Sequence, residues 1–315
     1  MRDNGNDILV VGSVAFDDVE TPFGSVEHVL GGSTVYFSAA ASLFAPVRVI
    51  SVIGSDMPLG TFDFLRDRGV DLQGLQVSEG KTFHWAGRYD YDLNATETLA
   101  TDLNVYADFH PAMPAAYEDS SFVFLANIHP TLQRDVLRQT RSPRLSMMDT
   151  MNLWIEHERD SLLETMRMVD MVSINESEVR MLAGTSSIVS AARYVLSLGP
   201  RVVLIKKGEY GSVMFTPDDY FVAPAYPLEE VHDPTGAGDS FAGGLLGYLA
   251  TGDTINGPAL RRAVVHGSAV ASFTVEKFSV DRLRTVTREE IEGRFREFRR
   301  FTRFEDLDEA VESKQ

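Results

Sequence analysis

No cysteine occurs in the 315 residues, so disulfides, thiolate metal sites and a cysteine nucleophile are all excluded. Long apolar stretches are missing too: no run reaches the roughly 18 residues that a bilayer span needs, so no membrane partner is expected. Met1 to Asp7 is polar and lacks the apolar stretch and small-residue cleavage site of a secretory leader, so a cytoplasmic setting is expected. Lysine is scarce: Lys81, Lys206, Lys207, Lys277 and Lys314 are the five among 29 basic residues, and the rest are Arg. Against 46 acidic residues these leave a net charge of −17, which argues against nucleic acid as a partner while leaving room for a local basic pocket that holds a nucleotide. Adaptation to high salt and a GC-rich genome both account for an acidic, Arg-rich balance, and stability measured against KCl concentration separates them.

Several motifs are absent. The seven His are scattered singly with no H-E-x-x-H, which speaks against zinc. No G-x-G-x-x-G follows the first apolar run, so a dinucleotide fingerprint is missing, and no G-x-S-x-G marks a hydrolase elbow. Gly74 to Thr82 imitates a P-loop, but five residues separate Gly74 from Gly80 where that motif requires four.

What is present is an ordinary globular composition, 44% hydrophobic and 24% charged, with enough apolar material for a sizeable core. Short apolar runs at Ile8–Gly12, Val47–Ile53, Phe122–Ala126, Arg144–Met148, Met171–Ile174 and Val202–Ile205 read as strands. Helical stretches are expected at 34–44, 59–68, 161–168, 186–198, 240–249, 258–275 and 288–300. This alternation predicts an α/β fold with a mostly parallel sheet covered on both faces. Thr82–Tyr89 and Thr98–Tyr106 alternate in polarity about a turn-rich connector at 90–97, as an antiparallel hairpin inserted into the main domain would. The last fifteen residues, rich in acids such as Asp306, Asp308, Glu309 and Glu312, read as a solvated helix or a frayed tail. The chain 1–315 is read as one α/β domain with a small β lid.

The chemistry concentrates in Asp233-Pro-Thr-Gly-Ala-Gly-Asp-Ser-Phe241. Gly236, Ala237 and Gly238 follow an extended segment and precede a helical one, so their N–H groups and the helix dipole form an anion site. Asp239, in the first helical turn, is placed to take a proton from an attacking hydroxyl. A Gly-rich turn with Asp239 as a simple capping residue is the competing reading.

That nine-residue segment resembles the C-terminal signature of the PfkB (ribokinase-like) carbohydrate kinases. The resemblance implies a three-layer ribokinase-like fold, with Asp239 as catalytic base and Gly236, Ala237 and Gly238 as the anion hole. Val10 to Asp17 is similar to the family's first strand, whose terminal Asp holds substrate hydroxyls; Asp17 fits, with Asp18 as its neighbour. Gly31-Gly32-Ser33 resembles the first family signature, in which the glycine pair meets substrate. Tyr36 stands where the family usually carries Asn, which leaves the substrate open. Asn127 and Asn152 are further pocket candidates. Asn175 and Glu178 resemble the N-x-x-E motif, tied to Mg²⁺ through water, although the pair also reads as a helix N-cap and its box Glu. Lys206, Gly208 and Gly211 resemble the segment that lies along ATP, and Asp233 and Thr235 join that group. Asp149 resembles a family Asp near the phosphates. Ala269 to Ser279, with Ala271, Phe273 and Phe278, falls where relatives wall the adenine, and core is the favoured reading for most of it.

The implied activity is transfer of the γ-phosphate of ATP to a hydroxyl of a sugar or sugar-like molecule, with a nucleoside as the alternative and a non-catalytic binding protein a more distant one. ATP and Mg²⁺ are the implied cofactors, with a monovalent cation such as K⁺ a further candidate. The lid, at about 17–33 and 81–109, is expected to close over substrate and to pair two copies as a homodimer.

Overall fold

The computed structural model describes residues 6–93 and 96–305. The acidic run from Asp306 onward, the first five residues and part of the expected 90–97 connector lie outside them. Thirteen strands occur among the described residues: β1 (Ile8–Val11), β2 (Ala15–Thr21), β3 (Gly24–Gly31), β4 (Val47–Gly54), β5 (Asp71–Ser78), β6 (Phe83–Tyr89), β7 (Thr96–Asp102), β8 (Phe122–Leu125), β9 (Leu145–Met148), β10 (Met171–Asn175), β11 (Val202–Lys206), β12 (Ser212–Phe215) and β13 (Tyr220–Ala223).

Nine of these form one sheet in the order β13-β12-β11-β10-β9-β8-β1-β4-β5. From β11 to β5 every pairing is parallel, and β12 and β13 add an antiparallel edge. Side chains of the central strands divide cleanly between the faces. Ile8, Val10, Phe122 and Phe124 pack with helices Ser33–Ala41, Ala237–Ala250 and Gly257–Thr274. Leu9, Val11, Val123 and Leu125 pack with helices Pro130–Gln139, Arg159–Met166, Glu176–Ala183 and Ile188–Leu198. Burial on both faces is why these strands read as unbroken apolar runs, and each fully buried side chain of this type contributes about 1.5–3 kcal/mol. The fold is therefore α/β in three layers.

One expectation needs correction, and one strand escapes the sequence reading. The stretch 59–68 is a single 3₁₀ turn (Leu59–Phe62) followed by a four-residue helix (Asp63–Arg66). The P-loop imitation Gly74–Thr82 begins inside β5, a sheet-edge strand whose half-exposed D-L-Q-G-L-Q-V-S pattern lacks the apolar run of the inner strands.

The second sheet has the order β3-β2-β6-β7, with β2 and β6 parallel at its centre. Its strands follow β1 and β5 and stand at the end of the main sheet where the parallel strands finish. Helices Ser33–Ala41 and Ala237–Ala250 approach closely: a Cβ on Gly243 would lie 2.5 Å from the Phe37 carbonyl oxygen. That contact sets the start of helix Ala237–Ala250 beside the Gly31–Gly32 segment.

Candidate active site

The chain leaves β1 for β4 on one side and later returns to β8 on the other, which creates a switch point at the C-terminal ends of β1 and β8, where open α/β sheets bind ligands. Polar residues cap the strand ends in sequence: Asn127 after β8, Asp149 after β9, Asn175 on β10 and Lys206 on β11.

Helix Ala237–Ala250 starts at this edge. Its N-cap, Gly236, adopts the left-handed conformation at φ 74. The Ala237 N–H is turned to the Pro234 carbonyl at 3.1 Å, so that amide serves the turn. The Lys206 amine lies against Gly238, 2.9 Å from where a Cβ would stand, and donates to Asp149 at 2.5 Å. A side chain at 238 would displace that cation from the helix mouth. Burial alone would push the Lys206 amine down, but Asp149 and Glu178 outweigh it and hold the amine above its ordinary range. Asp239 sits one residue beyond. Burial first, then repulsion from Asp149, pushes its carboxyl up to about 7 against the opposing pull of Lys206. A carboxyl near 7 is matched to proton abstraction at neutral pH.

Asp17 projects from β2 and is 4% exposed. Burial, then the carboxyls of Asp233 and Asp239, push it up to about 8 in spite of His84. Its carboxylate occupies the space a side chain would need at Gly31, where a Cβ would lie 1.8 Å from Asp17 Oδ2. Gly32, at φ 95, starts helix Ser33–Ala41 and would bring a Cβ within 2.6 Å of the Ser13 carbonyl oxygen. Asp18 points elsewhere. It accepts from the His28 N–H at 2.6 Å and meets His84 Nε2 at 2.9 Å, within the small sheet.

Asn175 and Glu178 form a reciprocal capping box: Asn175 Oδ1 accepts from the Glu178 N–H at 2.8 Å and Glu178 Oε2 from the Asn175 N–H at 2.9 Å. Glu178 is raised to about 7 by burial, with Lys206 opposing and Asp149 adding. Asp233 is spent on the local backbone, accepting from Thr235 N–H at 2.8 Å and Ser279 N–H at 3.3 Å. Gly208 and Gly211, at φ 54 and 85, form the turn from β11 to β12. Asn127 is held by Trp154 Nε1 at 2.8 Å, and Asn152 is exposed. Phe273 is core, with the Arg294 guanidinium 3.5 Å from its ring centroid.

Residues of the small sheet complete the site. Thr235 Oγ1 donates to the Tyr89 hydroxyl at 3.1 Å, joining the Gly-rich loop before helix Ala237–Ala250 to β6. Trp85 is the register partner of Asp17 across β2 and β6, so both side chains project from the same face, and its indole covers Gly87. Trp85, Gly87 and Tyr89 therefore line one side of β6 at every second residue. Sequence reading places Trp85 and Tyr89 in the expected hairpin, but not beside Asp17 and Thr235. The Asp149–Lys206 pair is missed as well.

Comparison with known proteins identifies the family and the fold. Residues 6–285 match the model of the pfkB family carbohydrate kinases. A cytidine kinase of Thermococcus kodakarensis is 30% identical over 251 residues, 78% of this chain and 89% of that protein. The Methanocaldococcus jannaschii nucleoside kinase shares the fold with a TM-score of 0.74 at 20% identity, over 93% of this chain and 98% of its own. A Vibrio cholerae fructokinase solved with fructose, ADP and potassium superposes with a TM-score of 0.74 at 17% identity, over 94% of this chain and all (100%) of its own.

Proposed function

Because the chain belongs to the pfkB family of carbohydrate kinases, we propose that it phosphorylates a sugar hydroxyl of a nucleoside, with Asp239 as the general base. The protein is an ATP-dependent kinase of the sugar and nucleoside group. The nucleoside reading rests on Trp85, an aromatic plane set in register beside Asp17. A free sugar asks mainly for hydrogen-bond partners, whereas a nucleobase also asks for a flat apolar surface. The name of the Thermococcus relative supports the same reading.

In this reading Asp17 holds the acceptor hydroxyls and Asp239 removes the proton from the attacking one. The N–H groups at the start of helix Ala237–Ala250, chiefly that of Gly238, and the Lys206 amine stabilise the transferred phosphate. ATP lies along Asn175, Lys206 and the Gly208–Gly211 turn, while Asp233 and Thr235 shape the loop between the substrates. Glu178, a buried carboxylate near Lys206 and capping Asn175, is placed to reach through water an ion carried by the ATP phosphates. When bound, Mg²⁺ supplies neutralisation of phosphate charge. Potassium in the fructokinase makes a monovalent cation a second candidate requirement, read as rate in KCl against choline chloride. The lid carries exposed Phe23, Tyr91 and Leu99, apolar groups suited to pairing two copies, which light scattering on a sizing column tests. Among the described residues no helix is long and apolar enough to cross a membrane.

The deciding experiment is a turnover panel of nucleosides and free sugars with ATP, the product position being read by NMR. Nucleosides are expected to give the highest kcat/KM. Faster turnover of ribose or fructose than of any nucleoside would overturn the nucleoside reading while leaving the kinase intact.

A further inference from the structure

Tyr36 lies in the first turn of helix Ser33–Ala41, every residue of which is buried, and is itself 1% exposed. Two observations single it out. A Cβ on Gly236 would fall 2.2–2.4 Å from Cγ, Cδ1 and Cδ2 of Tyr36, so the α-carbon of Gly236 rests on the phenol ring. At the far end of that ring the hydroxyl is buried and meets no hydrogen-bond partner among the described residues. An unmatched buried hydroxyl is costly unless something completes it.

The groups whose charge acts on this hydroxyl are Asp17 on β2, Asp233, Tyr89 on β6 and Asp239. Tyr89 is already engaged by Thr235, and Asp233 by the backbone of Thr235 and Ser279. Burial, reinforced by Asp17 and Asp233, holds the phenol far above its ordinary range, so at neutral pH it is an uncharged donor. Asp17 in turn faces Asp233, Asp239 and His84.

We propose that Tyr36 is a positioning residue for phosphoryl transfer: its ring braces Gly236 and hence the helix N-terminus at the phosphate, and its hydroxyl donates to Asp17 in the acceptor complex. One residue thereby ties the phosphate end of the site to the acceptor end. This inference rests on the kinase reading and not on the choice of nucleoside over sugar.

Tyr36→Phe keeps the brace and removes only the donor. Its kcat/KM for the acceptor is expected to fall about tenfold with the KM for ATP unchanged. The acid limb of the kcat profile, which reports the acceptor complex, should move to higher pH, because Asp17 without a donor holds its proton more tightly. Tyr36→Leu also removes the ring, and kcat at saturating acceptor should fall by a further tenfold or more. Circular dichroism checks its fold, and Tyr36→Met replaces it if the leucine variant is unstable. A Tyr36→Phe enzyme with wild-type kcat/KM and pH profile would overturn the donor role, and unchanged kcat in the leucine or methionine variant would overturn the brace. Failure of the wild-type enzyme to phosphorylate any acceptor would instead refute the kinase reading, a separate result.

Discussion

The Lys206 amine lies 2.5 Å from Asp149 Oδ2 and rests against Gly238, one residue before Asp239. The two partners act on Asp239 with opposite signs: Asp149 raises its carboxyl and Lys206 lowers it. If Asp239 is the base proposed above, it works only when ionised, and activity should fall as pH drops through its value of about 7. Lys206→Met should therefore move the acid limb of kcat to higher pH, by about one unit or more, and Asp149→Asn should move it lower. Both variants will also lose rate through weaker phosphate contacts. The informative quantity is the direction of the limb, and shifts of the same sign in both would contradict this electrostatic arrangement.

Replacing Asp239 by Asn should cost about 10²–10⁴ in kcat, the range a positioned base supplies, with ATP affinity by calorimetry little changed. The same variant should be more stable than the wild type in alkaline solution. The native carboxyl, at about 7 against an ordinary 3.8, holds its proton more tightly than the unfolded chain does. Native stability from this group is therefore full below about 3.8 and is lost as pH rises to about 7. The Tm advantage of Asp239→Asn should accordingly grow from near zero at pH 4 to several degrees at pH 8. A constant difference across that range would mean the buried charge is not the cause.

Trp85→Ala should raise the KM for nucleosides by about tenfold or more, the contribution of one stacked base, while leaving the KM for ATP unchanged. Only two Trp occur in the chain, so in a Trp154→Phe background nucleoside binding should quench the fluorescence of Trp85 directly. Loss of free-sugar and nucleoside turnover by equal factors would point to a general lid defect, not base recognition.

What the sequence makes legible follows from physical locality. Ile8–Val11, Phe122–Leu125 and Val202–Ile205 announce themselves because burial on both faces leaves no room for polar residues. β5 does not, since it is an edge strand and a Cβ on Gly74 would fall 2.5 Å from the Val49 carbonyl oxygen, where no side chain fits. The anion-hole loop and its Asp are contiguous and so readable in one segment. The Lys206–Asp149 pair spans 57 residues, and only the parallel register of neighbouring strand ends brings it together. Asp17 and Asp18 are adjacent acids that only the family resemblance ranks in sequence, and strand alternation sends the first toward Asp233 and Asp239 and the second to His84.

Gly31 offers the sharpest steric test of the acceptor end. Its φ is not among the left-handed glycines, so alanine is acceptable to the backbone, and the obstacle is Asp17 alone. A Cβ there would stand 1.8 Å from Oδ2 and 2.3 Å from Cγ, so the carboxylate must swing out of the acceptor site to admit it. Gly31→Ala should thus raise the acceptor KM by about 10²-fold with ATP affinity kept, the signature of lost acceptor binding. Gly236→Ala meets a different barrier, a rigid ring 2.2 Å away at φ 74. That substitution should depress kcat more than KM, because it disturbs the helix mouth at the phosphate. If Gly31→Ala lowered kcat and spared the acceptor KM, Asp17 would not be the group that holds the acceptor.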